Sequence, residues 1–422
     1  MTRTRIPNRF VAQAAVATIA ALTLANPAEA TNGYFTNGYS GQSKGLAGAG
    51  VALPTGVMGL AQNPAFGTRI GNGAEMCLSI FNPDRSISVG GAAPLTPGTY
   101  RSSGSVFYVP CGGANFRLND RSTFGFTLYG NGGMNSEYEA NPFAGLGAGS
   151  VPLGVNLEQL FISAHYSWDV NNRLSLGVAP TLAIQRFSAT GLEAFGGFST
   201  SPANLTNNGD DWSTGFGMNF GLAYQANDEW TLGAAYRTKM HMSEFDKYAG
   251  LFAGQGDFDI PATASLGAAY TPASNPALTL TAEYQRIFYG DVPAIANSGA
   301  VITPTLGADN GPGFGWDDMD VVRIAAQYQA NDKLTLRGGI SWNSDFIEDN
   351  EVLLNTLAPA TIRWHASIGA SYKMDNGWDF TAAYTHAFNA EKSGANETPG
   401  FGQPITLQMD QNEVTFSFSK SW

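Results

Sequence analysis

The side chains best suited to chemistry in this sequence are its four histidines, and their placement argues against catalysis. They fall on four separate predicted strands without the spacing of metal ligands: His165, His241, His365 and His386. A lipase in a membrane would need its active serine on the lipid face, whereas three of these histidines are predicted to point inward. No Walker A Gly-Lys-Ser/Thr occurs. We therefore expect no enzyme, no metal site and no cofactor.

Five basic residues and one aromatic residue are candidates for ligand binding, because each is predicted to point into a lumen. They take the inward phase of their strands: Arg237, Lys239, Arg323, Arg337, Arg363 and Phe161. An inward arginine could hold the carboxylate of an amphipathic ligand through bidentate hydrogen bonds. It could equally pair with an inward acid such as Glu283. Phe161 could line an apolar pocket or pack against the N-terminal segment.

The elements that carry these residues are long segments in which apolar and polar side chains alternate. In the segment 334–342, Leu336 and Ile340 share one face, whereas Thr335 and Arg337 share the other. Period-two alternation predicts β-strands. These segments exceed the ordinary strand length of about 5–6 residues, which favours tilted membrane crossings.

The connections between the predicted strands alternate in length. Short polar turns such as Asn119-Asp120 and Asn331-Asp332 are followed by longer links rich in Gly, Pro and Asp. Transmembrane barrels have short periplasmic turns and longer extracellular loops. The pattern therefore predicts an all-β protein, a transmembrane antiparallel β-barrel of about 14 strands with both chain ends in the periplasm.

The first 30 residues have the layout of a secretory signal peptide. Three arginines precede an apolar run that ends at an A-x-A cleavage site, Ala28-Glu29-Ala30. No later segment has 18 uninterrupted apolar residues, which excludes an α-helical membrane protein. We divide the chain into a signal peptide (1–30), an N-terminal segment without sustained alternation (31–72) and the barrel (73–422). The barrel ends on Trp422, where we expect the barrel-assembly machinery to bind.

The charge of the chain restricts its partners. Charged residues make up only 13% of the sequence, and the formal net charge is −12. Such acidity argues against nucleic acid. Acidic clusters in the long links could bind divalent cations that bridge lipopolysaccharide, or they could simply keep the loops solvated. We expect a monomer in the outer membrane of a Gram-negative bacterium, surrounded by its lipid.

The sequence contains two cysteines, Cys77 and Cys111, in a chain destined for an oxidising compartment. They lie on the first two predicted strands, which form a hairpin. Both are predicted to point inward at a comparable height. We therefore predict a Cys77–Cys111 disulfide, which requires Cα atoms within about 7 Å.

The segment Thr31 to Ile70 resembles the hatch of the FadL-type outer-membrane transporters, which import long-chain fatty acids or aromatic hydrocarbons. The resemblance rests on the cluster Gly48-Ala49-Gly50 and on Asn63-Pro64-Ala65, just before the first predicted strand. It implies a barrel plugged by a small N-terminal hatch (31–72). It also implies passive uptake of a hydrophobic ligand through a groove between extracellular loops. The ligand would leave sideways, where the third strand kinks inward.

Glycines in the third predicted strand mark the expected kink. The strand starts near Ser122 and meets Gly130, Gly132 and Gly133. Glycine weakens strand pairing and permits a bulge, so we predict a lateral gate here, although these glycines could merely bend the strand into its loop. Pro64 makes the Asn63-Pro64-Ala65 turn rigid. We predict that this turn lies in the lumen beside the kink.

A general porin for hydrophilic solutes is the alternative function. The hatch discriminates between the two, because a porin needs an open lumen. About forty N-terminal residues folded inside the barrel would close it.

Overall fold

The structure is a computed structural model that describes residues 32–92, 94–147 and 151–422. The predicted signal peptide (1–30) lies outside the described residues. Among the described residues, no helix is both long and apolar enough to cross a bilayer.

In the part of the chain that the structure describes, sixteen antiparallel strands form a single sheet, and fourteen of them make the wall of a barrel. The wall strands are β1 Gly73–Val89, β2 Phe107–Asn119, β3 Ser122–Glu137, β4 Gly154–Asp169, β5 Leu174–Thr190, β6 Asp211–Gln225, β7 Trp230–Arg237, β8 Thr263–Tyr270, β9 Leu278–Ile287, β10 Met319–Gln329, β11 Leu334–Asn343, β12 Trp364–Lys373, β13 Trp378–Ala395 and β14 Pro404–Ser421. Two short strands, Gly98–Arg101 and His241–Met242, belong to extracellular links.

Each wall strand pairs with its neighbour in sequence, and β14 pairs with β1 along its whole length, from Gly73↔Ser421 to Val89↔Ile405. Closure leaves no free sheet edge at the first and last strands, which is the condition for a sheet to span a bilayer. The predicted fourteen-stranded barrel is confirmed.

Side-chain orientation follows the predicted alternation. On β12, His365 and Ser367 are buried in the barrel, whereas Ile368 and Tyr372 are exposed on the outer face. Leu336 and Ile340 on β11 are likewise exposed. Large apolar side chains exposed on a continuous band are expected where the solvent is lipid.

Short helices occupy the N-terminal segment and the extracellular links. The α-helical turns are α1 Gly41–Lys44, α2 Gly67–Ile70, α3 Ala253–Gly256 and α4 Pro293–Ala296. The 3-10 turns are Met58–Ala61, Pro64–Phe66, Ala144–Leu146, Glu193–Phe198, Pro202–Asn204, Asp246–Tyr248, Tyr289–Asp291, Asp349–Glu351 and Leu354–Thr356.

Residues 32–72 lie inside the barrel and are called the hatch below. Three inward carboxylates hold it to the wall. The Glu283 carboxylate accepts hydrogen bonds from the N–H groups of Gly50 and Val51, at 2.8 and 2.9 Å. Glu413 forms an ion pair with Lys44, and Glu75 accepts a hydrogen bond from a hatch N–H. Hydrogen bonds to charged groups contribute about 1.5–3 kcal/mol each, so this part of the hatch is firmly anchored.

The outward phase of β12 can be tested by placing a charge on the lipid face. Ile368 is 65% exposed and lies midway between Trp364 and Tyr372, which mark the two ends of the lipid-facing row. Ile368→Arg should lower the free energy of unfolding by about 2–4 kcal/mol, because a cation at mid-bilayer is poorly solvated. Ile368→Leu is the matched control and should be nearly neutral. Urea titration of the barrel in lipid vesicles measures both. Equal stability of the two variants would contradict the assigned orientation.

Candidate functional site

The wall is interrupted between β2 and β3. The ladder between these strands ends at Gly112 opposite Leu128. Beyond that point β2 continues to Phe107 paired with β1, and β3 continues to Glu137 paired with β4. The two strands therefore separate in their extracellular halves, and the space between them is called the side opening below.

A β-bulge on β3 produces this separation. Its register against β4 shifts between Gly130 and Gly132, which leaves Asn131 as the extra residue. Gly132 adopts a φ of +156°, which side chains other than glycine rarely adopt. A bulge bends a strand and leaves backbone groups without ladder partners.

The start of the hatch supplies those partners. Residues 32–36, called the hook below, form a tight turn against the bulge. The N–H of Gly133 donates to the carbonyl oxygen of Tyr34, and the N–H of Thr36 donates to that of Asn131, both at 2.9 Å. A Cβ atom on Gly132 would lie 1.8 Å from the Tyr34 carbonyl oxygen, so only glycine allows the hook to come this close.

The Asn63-Pro64-Ala65 turn lies elsewhere, and the prediction that it sits beside the kink is wrong. The Asn63 amide donates to the carbonyl oxygen of Leu222 on β6 at 3.0 Å, and Ser167 on β4 donates to the carbonyl of Pro64. Cβ atoms on Gly177 and Gly221 would clash with this turn. The absence of side chains at these two wall glycines thus lets the Asn63-Pro64-Ala65 turn pack directly on the wall. The hook, and not this turn, lies at the kink.

The extracellular end of the side opening is closed by a buried arginine. Arg85 on β1 reaches past the link before β2 and donates to the carbonyl oxygens of Gly104 and Asn135. Its guanidinium lies 5.6 Å from the centre of the Phe107 ring. The N–H of Ser103 donates to the carbonyl oxygen of Glu137 at 2.7 Å. The opening is therefore bounded at both ends by hydrogen bonds.

The ring of Tyr34 fills an aromatic cage built by the extracellular links. Its centre lies 5.4 Å from that of Tyr289 and 6.1 Å from those of Phe258 and Trp316. The Tyr289 hydroxyl donates to the carbonyl oxygen of Asn32 at 2.6 Å. Burial raises the pKa of the Tyr289 phenol above its ordinary value, so the hydroxyl keeps its proton over an even wider pH range. The cage thus holds the hook against the kink.

An apolar groove lies beside this cage, beneath the loops. Its lining is apolar throughout and includes Met134, Val155, Phe187, Phe252, Phe314 and Leu357. Its free volume is only about 20 Å³, which is room for roughly one water molecule. A larger hydrophobic ligand would have to displace the side chains that fill the groove.

Arg237 is the predicted lumen cation that lies next to the kink. It is buried, with the centres of the Phe35 and Phe161 rings 5.0 and 5.1 Å from its guanidinium carbon. It donates to the Asn131 side chain at 2.8 Å and to the Tyr39 hydroxyl at 3.3 Å. No carboxylate pairs with it among the residues that the structure describes. Phe161 points inward, as predicted, and lies between this cation and the ring of Tyr129, whose centre is 5.6 Å from its own.

Two more predicted cations bind the hatch. Arg323 pairs with Glu283 at 2.9 Å and donates to the Asn37 side chain at 3.1 Å. Arg337 donates to the Gln42 side chain at 3.4 Å. Both therefore lie in the interface between wall and hatch. The pairing of Arg323 with Glu283 is the alternative to ligand binding that the sequence left open.

The remaining two cations are not in the lumen, so their predicted position is wrong. Lys239 lies beyond the end of β7 and pairs with Asp259 at 2.9 Å. Arg363 precedes β12 and pairs with Asp345 at 3.4 Å. The alternating pattern predicted an inward orientation for Lys239 and Arg363 because it was extended past the true ends of their strands.

The glycines of the hatch cluster permit close packing within it. Gly48 has a φ of +87°, and a Cβ there would lie 2.1 Å from the Asn37 side chain. A Cβ on Gly50 would lie 2.6 Å from the side chain of Gln62.

The nearby sequence Gly41-Gln42-Ser43-Lys44-Gly45 has the spacing of a nucleophile elbow. However, Ser43 and Ser40 form the capping box of α1, which makes this serine a helix cap.

Cys77 and Cys111 form a disulfide between β1 and β2. The two residues are directly opposite each other in the ladder, with Cα atoms 4.9 Å apart. Their sulfur atoms lie 3.9 and 3.5 Å from the carbonyl oxygen of Tyr39 in the hatch.

A closed fourteen-stranded barrel with an internal hatch and an interrupted wall defines a plugged channel of the bacterial outer membrane. The family model described as outer membrane protein transport protein (OMPP1/FadL/TodX) matches residues 20–420, and the chain belongs to this family. It is therefore a transport protein of the Gram-negative outer membrane and not an enzyme.

Solved structures of similar fold extend over almost the whole chain. The P. putida toluene transporter TodX is 20% identical with a TM-score of 0.68, and the match covers 92% of this chain and 99% of TodX. A Pseudomonas aeruginosa FadL homologue is 18% identical with a TM-score of 0.67, with the same coverage. The Ralstonia pickettii toluene transporter TbuX is 18% identical with a TM-score of 0.64, again with that coverage. No curated protein shows significant sequence similarity.

Docking of the hook can be tested at Gly132. Gly132→Val should expel the hook, because the new side chain would overlap the Tyr34 carbonyl. The amides of Thr36 and Gly133 should then exchange with deuterium much faster, as measured by mass spectrometry. Gly197→Val is the control, since a Cβ at Gly197 would have no neighbour within 4 Å. Unchanged protection of both amides in a folded Gly132→Val barrel would contradict the described contact.

Proposed function

We propose that the protein is a passive channel for hydrophobic small molecules, which enter through the apolar groove and leave sideways through the side opening. The observation that carries this proposal is the separation of β2 from β3, with the hook in place of the missing ladder. A wall that is closed by a removable segment can open without loss of the barrel. A solute released between β2 and β3 would enter the lipid directly, which suits a hydrophobic molecule.

The aromatic cage favours a cargo about the size of one aromatic ring. Tyr34 from the hook already occupies that cage, so a ring of similar size would find the same contacts. Similar structures include two toluene transporters and the monoaromatic hydrocarbon channel CymD. We therefore propose aromatic hydrocarbons, rather than long-chain fatty acids, as the cargo. Arg237 is the residue that would hold a carboxylate if the cargo were a fatty acid.

The hatch has two parts with different roles in this proposal. The body, from residue 37 onward, is anchored by buried carboxylates of the wall. The hook is held by the bulge, the Tyr289 hydroxyl and ring contacts. The hook alone needs to move to clear the side opening. In this account Asn63, Pro64 and Ala65 fix the body rather than the exit.

The alternative, a general porin, requires an aqueous path along the lumen. The hatch fills that path in the described residues: Tyr34, Leu46, Ala49 and Leu60 are at most 1% exposed. We therefore propose that the barrel conducts hydrophilic solutes poorly.

Three expected features outside the site remain proposals. We propose that cleavage after Ala30 makes Thr31 the first residue of the mature chain, one residue before the hook. We propose that the barrel-assembly machinery binds Trp422, which is half-exposed beside Phe116 at the end of the barrel. We also propose that the protein is a monomer whose acidic rim faces lipopolysaccharide.

Filling the side opening tests the lateral route. A Cβ on Gly130 would lie 2.9 Å from the Val109 side chain across the opening, so Gly130→Ile should block it. Toluene uptake into cells that express the variant should fall severalfold. Gly338→Ile is the matched control, because a Cβ on that wall glycine would have open space around it and would lie 3.7 Å from the Ser367 carbonyl oxygen. It should transport as the wild type does.

The same assay separates the alternatives. Unchanged toluene uptake in a folded Gly130→Ile barrel would show that cargo does not pass between β2 and β3. Rapid swelling of vesicles in a small sugar, carried by the wild type, would favour the porin. Faster uptake of laurate than of toluene would favour fatty acids as cargo.

A further inference from the structure

The Cys77–Cys111 disulfide lies at the lower corner of the side opening. Cys111 is adjacent to Gly112, the last residue of β2 that pairs with β3. From Cys111 to Phe107, the only strand that pairs with β2 among the described residues is β1. The cross-link therefore stands at the point where β2 loses its second partner.

The sequence around this point makes β2 weak. Pro110 has no N–H to donate to a ladder, and proline in sheets is confined to edges. Gly112 and Gly113 follow the cysteine, and glycine within a strand weakens it because it has no side chain to pack. The segment Phe107–Cys111 therefore has no strand partner on the side of β3 and a proline in its ladder with β1. The disulfide joins the last residue of this segment, Cys111, directly to β1.

The disulfide also contacts the part of the hatch next to the hook. Both sulfur atoms lie within 3.9 Å of the Tyr39 carbonyl oxygen. The ring of Tyr39 packs on Tyr129 of β3 with centres 4.7 Å apart, and its hydroxyl donates to the Asn131 side chain at 3.1 Å. One hatch residue therefore links the cross-link on β2 to the bulge on β3.

We propose that the Cys77–Cys111 disulfide is a positioning element of the side exit. It fixes the free edge of β2 to β1, so that the opening keeps its width when the hook leaves. Without it, the segment Phe107–Cys111 moves toward β3, pairs with the backbone groups that the hook exposes, and closes the exit. This inference rests on the lateral route proposed above and assigns to the disulfide a role in transport beyond its contribution to stability.

The test compares three versions of the full-length barrel in proteoliposomes that take up radiolabelled toluene. The first is the wild type. The second is Cys77→Ala with Cys111→Ala. The third adds Ser79→Cys and Thr415→Cys to the second, because these inward residues are paired across β1 and β14 with hydroxyl oxygens 2.7 Å apart. The third barrel regains a cross-link to β1, but on the side away from the opening.

We expect toluene uptake to fall severalfold in the second barrel and to stay low in the third, even where the third regains the thermal stability of the wild type. Recovery of uptake in the third barrel would overturn the proposal, because the cross-link would then act through general stability. Wild-type uptake by the second barrel would overturn it too. If Gly130→Ile leaves toluene uptake at the wild-type level, the lateral route itself is wrong. That result differs from a failure of the disulfide proposal alone, so the two failures are distinguishable.

A measurement on barrels that are already folded avoids variants that fail to assemble. The purified wild type is treated with a phosphine reductant in detergent, its folded fraction is followed by its mobility in unheated gels, and its toluene uptake is measured after reconstitution into vesicles. In a second barrel, Tyr108→Cys and Leu128→Cys carry spin labels joined by thioether bonds, which the phosphine does not cleave, and these outward labels report the distance between β2 and β3. Reduction should shorten this distance and lower uptake together. Reduction of the bond with neither change would overturn the proposal.

Discussion

Backbone N–H and C=O groups at the depth of a membrane must find partners inside the protein, because the lipid offers none. This constraint governs the whole molecule. The strands meet it by closing from β14 onto β1. The wall departs from it at the bulge of β3, and there the hook donates and accepts the hydrogen bonds that a neighbouring strand would otherwise supply. The hook is therefore a replaceable piece of the wall.

The polar interior follows from the same constraint. Buried charges need partners, and the lumen pairs them across the boundary between wall and hatch. Arg323 donates to the Asn37 side chain, its partner Glu283 accepts from the N–H groups of Gly50 and Val51, and Lys44 pairs with Glu413. Arg237 differs because it lies between two aromatic rings and bonds to the bulge residue. Strong pairing thus fixes the body of the hatch, while weaker contacts hold the part that closes the exit.

Much of this could be predicted from sequence because alternation reports which face of a strand each residue occupies. It placed Ile368 outward and Phe161 inward, and alternating turn lengths indicated the number of strands. It failed for Lys239 and Arg363, because the phase of a strand does not reveal where the strand ends.

The position of the hatch could not be predicted in the same way. Asn63 and Pro64 indicate a rigid turn, but the seat of that turn is set by Gly177 and Gly221 on distant strands. Apart from the glycines of β3, nothing in the sequence indicated that the hook would dock on the kink. Its contacts depend on hydrogen bonds between backbones, which any residue can make, and on loops that are far away along the chain.

The central claim is that cargo leaves through the wall between β2 and β3. An alkylbenzene that carries a diazirine can be photolysed while it crosses the barrel in lipid vesicles, and its adducts can be mapped by mass spectrometry. If cargo passes between β2 and β3, adducts are expected on both edges of the side opening, at Tyr108, Val109 and Leu128. Adducts confined to the periplasmic end of the hatch, at Thr68 and Arg69, would contradict it, because the cargo would then pass straight through the barrel.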